Sequence, residues 1–462
     1  MAGVNNRESQ NIINQIKTYV KNHAPAKEAD LLEAFAERYF SSIALDDLKE
    51  RTISDLYGIL LSHWKFIYQR SPGEAKVRIF NPEKAKDGWK STHTIIQISH
   101  DDIPFLVDST RMAINRYDYQ IHFIIHFGGL KVMRDNRHRI TGFLPPGIIE
   151  KDATSEAPIY IEIDRIADER EMSALQADIE RVLADVRVAV ADWRKMVSRV
   201  EDCLKDLESN PPSLDLAELA ESRDFLRWLV NNNFTFLGAR DYKLIGNGTN
   251  RALQIIPGSG LGVLRDETFS TTSKSYAELP PQARKMALSK NILIIAKTNT
   301  TSTVHRRAYT DYIGVKRFNE KGELIGERRF IGLYTSTAYH SSPRQIPFLR
   351  HKVDKVLEDL GFPPDSHDGK EAVHIIETLP RDDLFQASHE ELLALTLGIL
   401  QLKERKRIRL LVRRDAFYRY FSCLVFVPRE IFNTELVYSM QDILMEAFKG
   451  IELLDSLRRK IT

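Results

Sequence analysis

The chain has 462 residues, 43% of them hydrophobic and 28% charged, with acids and bases so nearly balanced that the formal net charge is +2. That length exceeds a single core and sets an expectation of two to four domains, and the charge balance gives no global attraction to nucleic acid or to an anionic membrane. No run approaches the ~20 apolar residues of a membrane span, Met1 to Gln10 lacks the apolar stretch of a signal peptide, and the two cysteines, Cys203 and Cys423, make no disulfide framework, so a reducing, cytoplasmic setting is expected.

The first segment reads as helices. Ile12, Ile13, Ile16 and Tyr19, then Leu31, Leu32, Phe35 and Tyr39, recur at helical spacing, with a break at His23-Ala24-Pro25, because proline disfavours helix in the residue before it. From Lys76 the pattern changes. Val77–Phe80, Thr94–Ile98 and Ile121–His126 read as strands, and Ile159, Ile161 and Ile163 alternate with Tyr160, Glu162 and Asp164 as a half-buried strand would. Between them, Asp101-Asp102-Ile103-Pro104-Phe105 reads as a helix start with aspartate at the cap and proline in the first turn. Leu106, Thr110, Ala113, Ile114 and Tyr117 follow on one helical face. The sum is a small α/β sandwich with helices on one face of the sheet.

Met172, Leu175, Ile179, Val182, Val186, Ala189, Trp193, Met196, Val200, Cys203 and Leu207 then alternate steps of three and four. This 3.5-residue repeat predicts one long helix with a continuous stripe toward a partner, either another chain or its own. Asn210-Pro211-Pro212 ends it. The second half is mostly β. Strands are expected at Phe234–Leu244, Leu253–Ile256, Asn291–Ala296, and on both sides of Asn319-Glu320-Lys321-Gly322, a hairpin turn with glycine available for positive φ. Helices are expected near Ser342-Pro343, at Ser388 with Glu391 completing a capping box, and at Asn433. Ile408–Val412 and Tyr418–Val427 read as strands. The last strand–strand–helix unit has no returning strand before Thr462, which suggests a truncated chain, a split gene or a shifted reading frame.

Chemistry is sparse. Gly258-Ser-Gly260-Leu-Gly262 lacks the spacing of a dinucleotide fingerprint and reads as a loop or sheet corner. His122 and His126 share a strand face without a third ligand. Ser302 and His305 lie close without an orienting acid, and Thr298–Thr303 reads as a polar loop. Lys403, Arg405, Lys406, Arg407, Arg409, Arg413 and Arg414 form a basic cluster that nucleic acid could use, although the interleaved Ile408, Leu410 and Val412 favour a solvated strand face. The reading is of no catalytic, cofactor-binding or metal-ligating residue in this chain.

Several longer words resemble the large bacterial NAD-dependent glutamate dehydrogenases. They include His100–Ser109, Ile121–His126, Phe225–Leu229 with Phe234–Gly238, Gly260–Arg265, Ser302–Arg306, Asp311–Phe318, Gly326–Ser336, Ser366–Lys370, Pro380–Gln386 and Ser422–Arg429, collinear from about residue 94 to about residue 448. The resemblance implies tandem ACT-like folds, with the dehydrogenase domain and its NAD site in a segment beyond this chain. ACT loops that bind amino acids often carry Asp-x-Pro-Gly. Here Asp102-Ile103-Pro104-Phe105 keeps the turn while Phe105 fills the space that glycine would leave.

The expected fold class is therefore α+β, tandem ACT-like α/β sandwich modules joined by long helices. The segments are 1–75 (N-terminal helices), 76–167 (first ACT-like domain), 168–212 (long helix and linker), 213–404 (second, β-rich ACT-like domain) and 405–462 (an incomplete third). The expected function is the N-terminal regulatory and assembly portion of the dehydrogenase, with NAD only in the parent enzyme. Its expected partners are the catalytic C-terminal region and other copies in a homo-oligomer, and Asp101, Asp102, Ile103, Pro104 and Phe105 are the candidate effector or interface loop. The alternatives are a stand-alone amino-acid-binding module and a nucleic-acid binder acting through residues 403–414.

Overall fold

Helices α1 (Ala2–His23), α2 (Ala29–Ser41), α3 (Leu45–Lys49) and α4 (Ile53–Ile67) open the chain, with the break at Pro25 where the sequence places it. Thr52 caps α4 by accepting the Asp55 N–H. The computed structural model describes residues 2–145, 147–148, 150, 152–212, 214–265, 273, 275–402 and 407–450. It divides into two units, one of residues 1–190 with 303–307, the other of residues 191–302 with 308–462.

In the first unit, β1 (Lys76–Phe80), α5 (Lys84–Asp87), β2 (Thr94–Asp101), α6 (Leu106–Asn115), β3 (Ile121–His126), β4 (Leu130–Arg134), β5 (Ile140–Phe143) and β6 (Ala153–Ile163) follow. β6 is the central strand. One edge pairs with β2, Thr94 opposite Ile163 and Asp101 opposite Glu156. The other edge is shared by β3, with His126 opposite Ile159, and β4, with Leu130 opposite Glu156. β2 and β3 are both antiparallel to β6, so they run parallel and need the α6 crossover between them.

The half-buried strand expected at 159–163 is buried on both faces, Tyr160 and Glu162 included. Helices α1–α4 are the reason. Ile95, Phe123, Ile125 and Tyr160 share one core with Ile16, Phe35, Tyr39, Leu60 and Trp64 of those helices. Ile96, Ile98, Ile159 and Ile161, on the alternate face, are as deeply buried. Both faces of the strand are therefore buried, and Glu162 is accommodated by the Tyr160 hydroxyl at 3.0 Å and Arg51 at 3.1 Å.

α7 (Glu169–Ser209) is the long helix the heptad pattern predicts. Its stripe slips once. Trp193 is 46% exposed while Asp192 is fully buried, since a step of three from Ala189 reaches Asp192 on the same face. In the second unit come α8 (Leu216–Trp228), β7 (Phe234–Ile245), β8 (Ala252–Ile255), β9 (Leu261–Gly262), α9 (Pro281–Leu288), β10 (Leu293–Thr301), β11 (Tyr309–Phe318) and β12 (Leu324–Tyr334). They form an antiparallel sheet in the order β10-β11-β12-β7-β8, with β9 also on β7. The β11–β12 hairpin turns at Gly322, φ 71°, with Asn319 Oδ1 accepting from the Lys321 and Glu323 N–H groups. Thr298–Thr301, expected in a polar loop, belongs to β10, and the Thr298 and Thr310 hydroxyls meet at 2.7 Å.

Then come α10 (Ser336–His340), α11 (Leu349–Leu360), α12 (His367–Thr378), α13 (Arg381–Gln386), α14 (His389–Leu400), β13 (Arg409–Arg414), β14 (Phe421–Phe426) and α15 (Thr434–Phe448). The Ser388–Glu391 capping box and the Asn433 cap both form. Phe225, Phe234, Phe330, Tyr334 and Phe385 join sheet and helices in one core, with Tyr334 stacked on Phe385 at 4.7 Å. The fold is α+β. Among the described residues no helix is long and apolar enough to cross a membrane.

Candidate functional site

The segment 101–105 leaves the end of β2 as a loop and does not cap α6. Asp101 remains in the strand, and α6 begins only at Leu106 with Phe105 as its N-cap residue and no side-chain cap bond. The expected aspartate cap therefore does not form, because each carboxylate is committed elsewhere. Asp101 accepts Arg70 at 2.7 Å. The buried Arg70 also reaches Glu156 at 3.0 Å, and Arg134 bonds both Glu156 oxygens at 2.8 and 2.9 Å. Burial pushes the Glu156 carboxyl up, but the hydrogen bonds from Arg134 and Arg70 outweigh it and leave it below the ordinary carboxylate range.

Asp102 is exposed, its N–H bonded to Ser155 O at 2.9 Å and its carboxylate 3.4 Å from the Ser155 hydroxyl. The same carboxylate lies against Gly128, where a Cβ would stand 2.9 Å from Oδ1. Phe105 has φ 71°, ψ 2°, the left-handed conformation that glycine would take without strain. It holds that backbone with its ring 5.0 Å from that of His305, another left-handed residue at φ 73°. His305 rests on α6 itself. Its N–H donates to the Ser109 hydroxyl at 3.0 Å, and its Nδ1 is 3.6 Å from Asp108 Oδ2.

The histidine pair weighed from sequence is not brought together. His122 bonds Asp164 at 2.7 Å beside His93, whose ring is 4.4 Å away. His126 is exposed at the end of β3, near Asp102 and Asp108, and desolvation lowers its basicity. No group of three His, Cys, Asp or Glu side chains among the described residues is placed to hold a metal ion.

In the second unit the Gly-rich run forms a corner. Gly262 has φ 58° and approaches β7 so closely that a Cβ would stand 2.1 Å from Leu237 O. Its N–H donates to Asp192. Two buried charge clusters lie in the sheet. Lys297 bridges Asp311 at 2.6 Å and Asp382 at 3.1 Å. Glu327 accepts the Tyr312 hydroxyl, and Arg329 lies 2.9 Å from the Tyr242 hydroxyl. Of the basic cluster, Arg413 is paired with Asp383 at 2.7 Å and Arg414 stacks over Tyr418 at 3.7 Å, while 403–406 lie outside the described residues.

Sequence reasoning missed both buried charge clusters, Lys297 with Asp311 and Asp382 and Arg329 with Glu327, and also Phe105 with His305. For the clusters a signal existed, namely charged residues in strands that are otherwise apolar. For the ring pair none did, since 200 positions separate the two residues.

Three profiles of known families match the chain. They are glutamate dehydrogenase ACT1 domain over residues 35–179, glutamate dehydrogenase helical motif 1 over 346–405, and glutamate dehydrogenase ACT2 domain over 409–457. The chain is 38% identical over 436 residues to the NAD-specific glutamate dehydrogenase of Halomonas elongata, covering 94% of this chain and 27% of that protein. The protein of the same description from Pseudomonas aeruginosa gives the same figures. That from Mycobacterium tuberculosis is 25% identical over 411 residues, 86% of this chain and 23% of the relative. The chain thus spans about a quarter of the length of the curated relatives it matches.

Proposed function

We propose, from the premise that the chain belongs to the NAD-specific glutamate dehydrogenase family and carries its ACT1 domain, helical motif 1 and ACT2 domain, that it is the N-terminal regulatory and assembly portion of such an enzyme. The parent reaction would convert L-glutamate, NAD and water to 2-oxoglutarate, ammonia and NADH, in the cytoplasm, on a catalytic region elsewhere. The observation that supports the reading is that the similarity extends over 94% of this chain and includes the ACT1 and ACT2 domains of the family. The division at residues 75, 167, 212 and 404 is part of the same proposal.

Within it, Asp101 to Phe105 is assigned as an interface or effector loop. Exposed Asp102 and Pro104 and the left-handed Phe105 support this, because strained backbone is retained where surroundings hold it to a purpose. The Arg70 pairing gives Asp101 a structural part in holding the loop. NAD would be bound by the catalytic region only.

The test is NADH formation from L-glutamate and NAD by this chain alone. None is expected, and turnover above a blank would overturn the non-catalytic reading. Sedimentation of the chain tests the assembly role, for which a concentration-dependent oligomer is expected and a strict monomer is the contrary result. Calorimetry with the common amino acids separates interface from effector. Saturable heat abolished in Asp102→Ala would make the loop a sensor.

A further inference from the structure

We propose that the outer edge of β14 is a pairing surface for a second copy of this chain, joined edge to edge across a two-fold axis at Cys423. The inference rests on the assembly reading above and names the surface through which assembly proceeds. β13 and β14 form a sheet of two strands, and no other described strand pairs with either. Two strands alone make a marginal sheet. Among the described residues, nine of the fourteen large hydrophobic side chains that are exposed fall between Ile408 and Ile443. A concentration of that kind marks a surface that another protein covers.

The register shows which backbone groups are left over. The Asp415 N–H donates to Tyr420 O at 3.0 Å, and Arg413 stands opposite Ser422, Leu411 opposite Leu424 and Arg409 opposite Phe426. Antiparallel pairs alternate between bonded and non-bonded, so these three pairs carry the bonds between β13 and β14. Phe421, Cys423 and Val425 then turn their N–H and C=O groups away from β13. The hairpin that presents them is anchored. Arg413 and the Ser422 hydroxyl both reach Asp383, at 2.7 and 3.0 Å, and Phe421 stacks on Phe448 of α15 with ring centroids 4.4 Å apart. An edge held in place beforehand loses little freedom on pairing.

Charge selects the edge and its occupant. Edge strands that stay single are guarded by charged side chains or proline. β13 is guarded, with Arg409, Arg413 and Arg414 among its six residues. Arg413 is neutralised by Asp383, but self-pairing of β13 would still bring Arg409 and Arg414 of both copies onto one seam. β14, Phe421-Ser-Cys-Leu-Val-Phe426, contains no charge, proline or glycine. A two-fold axis at Cys423 sets Phe421 opposite Val425 of the second copy and Cys423 opposite its own equivalent, so no like charges meet. Such a contact uses the same edge of both copies and closes at two.

The test is sedimentation velocity of the 462-residue chain over an about hundredfold range of concentration. A shift from one copy to two is expected as concentration rises. Val425→Pro removes an outward N–H and leaves the bonds to β13 in place, and Val425→Lys puts a charge on the unguarded edge. Each should weaken dimerisation at least ~tenfold. The lysine variant decides the matter should proline lower the thermal midpoint. Leu410→Lys on β13 and Leu216→Ser, at an exposed position elsewhere, should leave association unchanged. In the pair the two Cys423 Cα atoms stand about 5.5 Å apart, so a short bis-maleimide should join two copies of the wild type and none of Cys423→Ser. A dimer indifferent to both Val425 variants, or one with no link through Cys423, would overturn the β14 edge and leave the assembly reading standing. A chain monomeric throughout would assign the edge to another occupant, such as a strand of the catalytic region, and overturn both.

Discussion

Asp192 and Arg265 meet in a two-point ion pair, Oδ2 2.5 Å from Nε and Oδ1 2.6 Å from Nη2, and the same Oδ2 accepts the Gly262 N–H at 2.9 Å. One carboxylate on α7 thus fixes the glycine corner of the second sheet. Burial alone would raise its pKa, but the Arg265 and Gly262 donors prevail and hold it at about 2, below the ordinary 3.8. Asp192→Ala should cost about 2 kcal/mol in urea unfolding, a figure kept modest because Arg265 is half-exposed and screened. A group depressed in the folded state contributes fully above its unfolded pKa and loses that contribution as pH falls through the folded value. The difference between wild type and Asp192→Ala should therefore be constant above about pH 4 and shrink between about pH 4 and pH 2. A difference that stays constant down to about pH 2 would remove the ion pair as its source.

The next residue of α7, Trp193, is 46% exposed, and Met196, one turn beyond Asp192, is fully buried. Trp193→Ser should alter stability by no more than about 0.5 kcal/mol, whereas Met196→Ala should cost about 2–4 kcal/mol through lost burial and the cavity left behind. Paired urea melts decide it. A loss above ~1 kcal/mol at Trp193 that grows with protein concentration would show that a second copy covers this face.

Elements with a strong period were legible in the sequence. β2, β3 and β10 are runs of isoleucine and leucine, and α7 keeps one stripe through eleven positions with a single substitution of Asp192 for Trp193. Local chemistry was legible as well, in the Ser388–Glu391 box and the Gly322 turn. What failed depends on partners far away. Alternation in β6 predicted one wet face, yet helices α1–α4 return to cover it, and no signal within 153–163 could announce them. Asp102-Ile103-Pro104 carries the local signature of a helix start, but Arg70, Ser155 and Gly128 compete for the aspartates and win. Of the candidate loop, only the segment 101–105 itself was visible in the sequence; His305, whose ring meets that of Phe105, comes from a loop 200 residues downstream.

Lys297 holds two carboxylates at once, Asp311 and Asp382, so one negative charge in the trio is left without its own cation. Burial pushes Asp311 up to about 6 despite Lys297, and the like charge of Asp382 adds to the rise. A carboxyl raised in the folded state binds its proton more tightly there than when unfolded, so its contribution to stability falls as pH climbs from about 4 to about 6. Asp382→Asn removes the like charge and should draw the Asp311 titration downward, flattening that slope. Carboxyl-carbon NMR titration of Asp311, with urea midpoints across the same window, reads both effects. An unmoved Asp311 titration in Asp382→Asn would show that desolvation alone sets it.

Cys203 is fully inside the second unit, and burial pushes its thiol up to about 12 even though Arg328 Nη1 lies 3.8 Å from Sγ and works in the opposite sense. Cys423 on β14 is half-buried, and burial raises it too. The thiolate is the reactive form, and at a working pH of about 8 a thiol with pKa 12 is ionised at about one part in ten thousand. Iodoacetamide should therefore label Cys423 in the native chain, leaving Cys203 to react only after unfolding. Peptide mapping with and without urea gives the order of labelling. Native labelling of Cys203 at the rate of Cys423 would mean that the α7 face opens locally, since exposure and ionisation must both be granted before the sulfur can attack.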